Sequence, residues 1–370
     1  MHIGLVSADF YPNVGGVAAH VVELGKALVE LGHTVDVVTL PLGDQRQRVS
    51  ELHGMTVHRP AIPKGQPLYS WLLSGWLRKF TAKQKLDVLH VHGVRPLEAT
   101  RGLPVPIVFT NHTSGFLKRV EKGESERKRV AKRLMHVARV LAPSDELVEA
   151  TKTVGYTGPV DFISNGVDTD RFSPGPASRR EWWGVAPEEV VVLLARRLVE
   201  KNGVTVFADA VTRLKSRGWQ VVFAGDGAER ANVERILEAG DRMDRCVFLD
   251  SVPNAEMPDV YRSADISVLP SFMEATSITG LESMATGLPL VGTRVGGIPT
   301  LIKHEETGLM VDSHNAGQLA EALDRLIDDP GLRFMMGGRA RERAVEFFSW
   351  SRIAQQTVDA YHTLQLKAAG

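Results

Sequence analysis

Apolar positions along this chain alternate between the period of a buried strand and that of an amphipathic helix. Ile3 to Ala8, Val35 to Leu40, Val88 to Val91, Ile107 to Thr110 and Val140 to Ser144 are short apolar runs that read as strands. Between the first two, Val21, Leu24, Leu28 and Leu31 recur at helical spacing until Gly32 stops the pattern. Phe172 to Glu189, rich in Pro, Gly and Ser, has the composition of a linker. Beyond it the alternation restarts: VVVLLA (Val190 to Ala195), a helix near Val204 to Arg217, VVFAG, a helix from Ala228, VFLD, a helix near Tyr261, then ISVLP (Ile266 to Pro270). No residue pattern repeats, but the order of elements does. The pattern predicts an α/β protein with two Rossmann-like domains, each built on a parallel sheet, facing across a cleft. The domains are expected at residues 1–172 and 173–351.

One further stretch is amphipathic. Leu68 to Lys85 plots as a helix with an apolar arc of Leu68, Tyr69, Leu72, Leu73, Trp76, Leu77 and Phe80, with Arg78 and Lys85 on the other side and Lys79 and Lys83 at the apolar edge. Residues 64–139 carry 16 Lys/Arg against 5 Asp/Glu. Two outcomes are open: the arc packs on the N-terminal core, or it lies on an anionic membrane surface.

Composition narrows the class. The 370 residues are 43% hydrophobic and 24% charged, as in a globular protein of about two domains. Zero formal net charge argues for no nucleic acid or other polyanionic partner. A lone cysteine, Cys246, excludes an intramolecular disulfide and any multi-cysteine metal site. MHIGLVSADF enters a strand without a basic leader, and no apolar run reaches the length of a spanning helix. The expectation is a cytoplasmic protein, with peripheral membrane contact as the open alternative.

Candidate chemistry gathers at predicted strand ends, where open α/β sheets bind ligands. Glu274 and Glu282 are separated by seven residues, the first in a strand-to-helix loop and the second in the early helix. Carboxylates there suit a sugar or ribose diol. Thr279-Gly-Leu-Glu282 also fits a capping box, in which Glu282 would only serve the helix. Arg196, Arg197 and Lys201 follow the VVVLLA strand and offer positive charge for an anionic ligand, although basic residues in one loop are usually a solvated surface. Gly15 and Gly16 form a turn after the first strand that lets backbone approach a phosphate. His112 follows the strand ending at Thr110. His90 and His92 share a strand face, but no third ligand at suitable spacing appears, so no metal site is expected. Asn165-Gly166, Asp168 and Asp170 read as turn residues at the domain border.

The run Pro270 to Gly297, with Met284-Ala285, Gly287-Leu288-Pro289 and Gly296-Gly297-Ile298-Pro299, resembles the Glu-x7-Glu signature of the retaining two-Rossmann (GT-B) glycosyltransferases, the group that includes glycogen synthases. Arg196 to Gly203 and Ile163 to Pro174 are similar to further segments of that family. The resemblance implies transfer of a sugar from a nucleotide-diphosphate donor to a glycan or lipid-linked acceptor, without a metal. It implies that Glu282 holds the ribose and Glu274 the transferred sugar. His112 would lie against sugar and nucleotide, Arg197 and Lys201 on the diphosphate with Arg196 beside them, and Gly15 and Gly16 near the same phosphates. The common Gly-Phe-Gly is Ala275-Thr276-Ser277 here, and the amides of Thr276, Ser277 and Ile278 would face the donor. The final helices, from about residue 352 to 370, would pack back on the N-terminal domain. A sugar-nucleotide epimerase or phosphorylase, or a non-catalytic sugar-nucleotide-binding subunit, are the alternatives of the same architecture.

Overall fold

The computed structural model describes every residue except 13–14, 42–47, 64, 66–67, 113 and 369–370. Asn13 and Val14 of the first loop, Lys64 of the basic stretch and Thr113 beside His112 therefore lie outside the described residues. The chain divides into two compact units, Met1–Gly166 with Trp350–Gly370, and Val167–Ser349.

The first unit holds an eight-stranded sheet. In chain order its strands are β1 (His2–Ser7), β2 (Thr34–Val38), β3 (Val49–Leu52), β4 (Met55–His58), β5 (Val88–His92), β6 (Ile107–Thr110), β7 (Arg139–Ala142) and β8 (Val160–Phe162). Across the sheet they run β3-β4-β2-β1-β5-β6-β7-β8. Neighbours pair in parallel except β3, which is antiparallel to β4. The central strands are covered on both faces and so read as unbroken apolar runs; β5, β6 and β7 are buried throughout. Leu5, Val37, Val88 and Val108 pack against Val21, Leu24 and Leu28 of the helix Gly16–Glu30. The last helix, Trp350–Ala368, adds Ile353, Ala354, Val358 and Tyr361 to the same core.

The second unit holds six parallel strands: β9 (Val190–Leu194), β10 (Trp219–Phe223), β11 (Cys246–Phe248), β12 (Ile266–Leu269), β13 (Leu290–Thr293) and β14 (Gly308–Val311). Their order is β11-β10-β9-β12-β13-β14, with Ile266 of β12 opposite Val192 of β9. Each sheet has one point where the chain reverses its direction of travel, between β1 and β5 in the first and between β9 and β12 in the second. Ligands of open α/β sheets bind at such points.

One expectation changes and one open alternative narrows. The stretch Phe172 to Glu189 is docked on the second unit, because Arg180 reaches Asp265 at 2.5 Å and Val185 is buried in the core. Val167 and Phe172 are buried there too, which moves the first boundary to Gly166. The helix Leu68–Gln84 turns Tyr69, Leu73, Leu77 and Phe80 inward, so most of the apolar arc is core. Trp71, 72% exposed, and Leu68 remain outside with Arg78, Lys79 and Lys83. No helix among the described residues is long and apolar enough to cross a membrane.

Candidate functional site

In the second unit the loops after β9 and β12 flank the reversal point and are tied to each other by backbone. Phe272 N–H donates to the Lys201 carbonyl at 2.8 Å. Gly203 adopts φ +67°, and a Cβ there would stand 1.8 Å from the Pro270 carbonyl oxygen. Only glycine satisfies both the left-handed backbone and that approach. Gly297 N–H donates to the Glu274 carbonyl at 3.0 Å, and a Cβ on Gly297 would meet the Ala275 carbonyl at 2.1 Å. The loop carrying Glu274 is thus held from both sides.

The charges in these loops fall into two groups. Arg196 pairs with Glu274 and also donates to the Ser271 hydroxyl, with both ionised side chains largely enclosed. Arg197 and Lys201 are exposed and have no ion-pair partner among the described residues. Arg196, expected beside these two as a donor contact, is paired with Glu274.

Ser277 caps the helix Ile278–Ala285, its hydroxyl accepting from Gly280 N–H at 3.1 Å. The capping box on Thr279 is therefore not formed, since the helix starts two residues earlier. Glu282 is freed from that role and buried, 7% exposed. Tyr261 donates its hydroxyl to Glu282 Oε2 at 2.8 Å. Burial raises the Glu282 carboxyl to about 7, against the opposing pull of the Tyr261 hydrogen bond and the Arg171 charge. Thr276 and Ser277 are buried and Ile278 opens the helix, so these three sit at its N-terminus, where backbone N–H groups lack intrahelical partners. An anion or hydroxyl oxygen fits such an end.

In the first unit Gly15 precedes the helix Gly16–Glu30 and is exposed; nothing stands within 4 Å of where its Cβ would be. Its φ is 174°, an extended value open to any residue. His112 lies two residues beyond β6, at the carboxyl edge of the sheet, with Nε2 2.9 Å from Nδ1 of His92. His20, from the helix Gly16–Glu30, stands edge-on to His112 with ring centroids 4.4 Å apart. Its Nδ1 contacts the Asn165 side-chain oxygen at 2.8 Å. Burial pushes His20 down to about 4 and holds His92 and His112 well below the usual histidine range, so the rings are neutral.

The pair His90 and His92, for which spacing offers no third ligand, gives way in the fold to a different group. One ring nitrogen from each of His20, His92 and His112 lies within 4.8 Å of the others, a spacing compatible with a shared cation. His90 is absent from that group because Tyr361 and Thr110 engage its two nitrogens, each at 2.6 Å. Sequence spacing pairs residues of one strand, whereas the fold recruits a helix and a neighbouring loop. Tyr261, Ser271, His20 and the contact made by Asn165 were missed for that reason. Nothing local in the sequence marks them.

Two family models match consecutive parts of the chain: "Glycosyltransferase Family 4" over residues 14–171 and "Glycosyl transferases group 1" over residues 178–343. A D-inositol 3-phosphate glycosyltransferase of Pseudarthrobacter chlorophenolicus is 30% identical, over 95% of this chain and 90% of its own length. Among solved structures, a sucrose-phosphate synthase from Thermosynechococcus elongatus is similar with a TM-score of 0.82 at 24% identity, covering 100% of this chain and 99% of the other. The Anabaena protein HepE in complex with UDP gives 0.81 at 19% identity, over 98% and 100%. Both are likenesses of fold. Matched by family models over residues 14–171 and 178–343, and over 95% of its length by the inositol phosphate enzyme, the chain belongs to the group 1, family 4 type glycosyltransferases of GT-B fold.

Proposed function

We propose that this glycosyltransferase takes its sugar from a nucleotide-diphosphate donor bound at the reversal point between β9 and β12. The carrying observation is the division of labour there: Arg196 neutralises Glu274, while Arg197 and Lys201 keep their charge for a ligand. A departing diphosphate gathers negative charge, and preformed cations stabilise it most where charge develops. Glu282 offers Oε1, which has no hydrogen-bond partner among the described residues, to a ribose hydroxyl. Glu274, fixed by Arg196, which Ser271 in turn holds, accepts from a hydroxyl of the transferred sugar. Gly15 leaves open space for phosphate oxygens ahead of the helix that Gly16 begins. The charges that meet the diphosphate are side chains, so we propose transfer without a metal.

The configuration is retained in this reading. The acceptor attacks from the face the diphosphate leaves, and a diphosphate oxygen takes the acceptor's proton. The name of the Pseudarthrobacter relative supports a phosphorylated polyol as acceptor. A lipid-linked acceptor is the second reading, favoured by exposed Trp71 beside Arg78, Lys79 and Lys83.

Thermal-shift screening of nucleotide-sugars and free nucleotides identifies the donor, since a ligand at 100 times its dissociation constant stabilises by roughly 2.7 kcal/mol. Nucleotide release that requires acceptor, with the product's anomeric proton showing retention, supports transfer. Release without acceptor points to an epimerase or hydrolase. Salt-sensitive sedimentation with anionic liposomes, lost in Trp71→Ser, supports the lipid reading, and wild-type protein left in the supernatant at low salt sinks it.

A further inference from the structure

The histidines of the first unit set a proton. His92 ends β5 and is 1% exposed; its Nε2 is enclosed and has no hydrogen-bond partner among the described residues. Its Nδ1 lies 2.9 Å from His112 Nε2. A neutral imidazole carries one N–H. On His92 Nε2 that N–H would be buried and unmatched, and orphaned donors are rarer and costlier than under-used acceptors. On Nδ1 it makes the bond. His92 therefore donates, His112 Nε2 accepts, and the proton of the neutral His112 ring is left on Nδ1.

His92 itself is held on two sides. His90 packs against it with centroids 4.1 Å apart, and His90 is anchored by Tyr361 and Thr110. His20, whose Nδ1–H donates to Asn165 Oδ1, closes the edge of His112. His112 Nδ1 has no partner among the described residues.

We propose that His92 is a positioning residue that fixes His112 as a hydrogen-bond donor through Nδ1, aimed at an oxygen lone pair of the substrate. This rests on the reading that His112 meets substrate, and it narrows that reading. His112 then polarises or orients a sugar hydroxyl or phosphate oxygen and does not act as a general base. An N–H at that position carries no lone pair with which to take a proton.

Amide side chains separate the two nitrogens, because Asn carries its N–H near the place of Nδ1 and Gln near that of Nε2. His112→Asn should keep turnover within about tenfold of wild type, whereas His112→Gln should lose roughly a hundredfold. His92→Asn, which retains the donor, should resemble wild type. His92→Leu should lower kcat by about tenfold or more at an unchanged melting temperature. Two-bond proton–nitrogen correlation spectra of histidine-labelled protein should show His112 protonated on Nδ1, and a tautomer mixture in His92→Leu. His112 protonated on Nε2 in the wild type, or Gln outperforming Asn, overturns the proposal while leaving His112 as a substrate contact. Wild-type activity in every His112 variant overturns that contact instead, with the spectra unchanged. One bound metal ion per purified chain, released in His92→Asn, would replace the hydrogen bond with a cation shared by His20, His92 and His112.

Discussion

Arg197 and Lys201 stand near Arg196 in sequence yet differ from it in what they have left to offer. Arg196→Ala would strip Glu274 of its counter-charge and blur any functional reading, so the informative variants are the other two. Arg197→Ala and Lys201→Ala should each lower turnover by roughly a hundredfold, since removing one charge-stabilising group costs about 2.7–4 kcal/mol of barrier. Melting temperatures should be unchanged, because neither side chain is packed. Near-normal rates in both would refute the diphosphate assignment. Glu282 makes a prediction in pH. Its native carboxyl titrates near 7 and its unfolded one near 4.5, so the native state binds more protons between these values. Stability of the free enzyme should therefore fall as pH rises through that window. Ribose hydroxyls donate to the ionised form, so nucleotide affinity should move the opposite way and weaken by about tenfold for each unit below 7. Glu282→Gln should flatten both profiles. Tyr261→Phe, which removes a hydrogen bond to the carboxylate, should shift the window upward. Flat profiles in the wild type would show that Glu282 is ionised throughout.

At the scale of the elements, the tie between the loops after β9 and β12 can be tested against a built-in control. Gly203 and Gly218 share φ +67°, but a Cβ on Gly218 meets nothing within 4 Å. Gly218→Ala should cost about 1 kcal/mol for its backbone alone. Gly203→Ala adds a collision with the Pro270 carbonyl and should cost about 2–4 kcal/mol, read by denaturant unfolding. Equal losses would mean the loop gives way easily and does not hold Glu274 in place. The strands that define both reversal points were legible because burial on both faces makes them continuous apolar runs, as in VVVLL of β9. Strands β3 and β8 were not, being short, at the sheet edge and largely exposed or half-buried. The same logic divides the site. Glu274 and Glu282 share one short segment, and the resemblance of that whole run to the Glu-x7-Glu signature singled them out where spacing alone left a capping role open. Tyr261 is 21 residues from Glu282, and Ser271 is 75 from Arg196. Such pairings exist only once the sheet is ordered. The amphipathic arc at Leu68 to Lys85 left two outcomes open in the sequence, because periodicity marks an apolar face without saying what covers it.

For the molecule as a whole, the first unit is assembled from two distant stretches of chain, and the second is a single continuous one. Ile353, Ala354, Val358 and Tyr361 lie against Val21, Leu24 and Leu28, and Tyr361 also closes the hydroxyl contact to His90. Ending the chain at Ser349 would expose that face, at about 1.5–3 kcal/mol for each large apolar side chain lost from burial. The truncated protein should lose the unfolding transition of the first unit and keep that of the second, as resolved by calorimetry. Retention of both transitions would show that the helix Trp350–Ala368 is dispensable to the core. The same connectivity sets an order of events on the ribosome. Domains generally fold as units during synthesis. Here the unit that begins first is completed last: its eight strands emerge early, yet the helix that seals them emerges only after the whole of the second unit. For the time it takes to translate residues 167–349, the nascent first unit waits with an apolar helix face uncovered, and that interval is when a chaperone has something to hold.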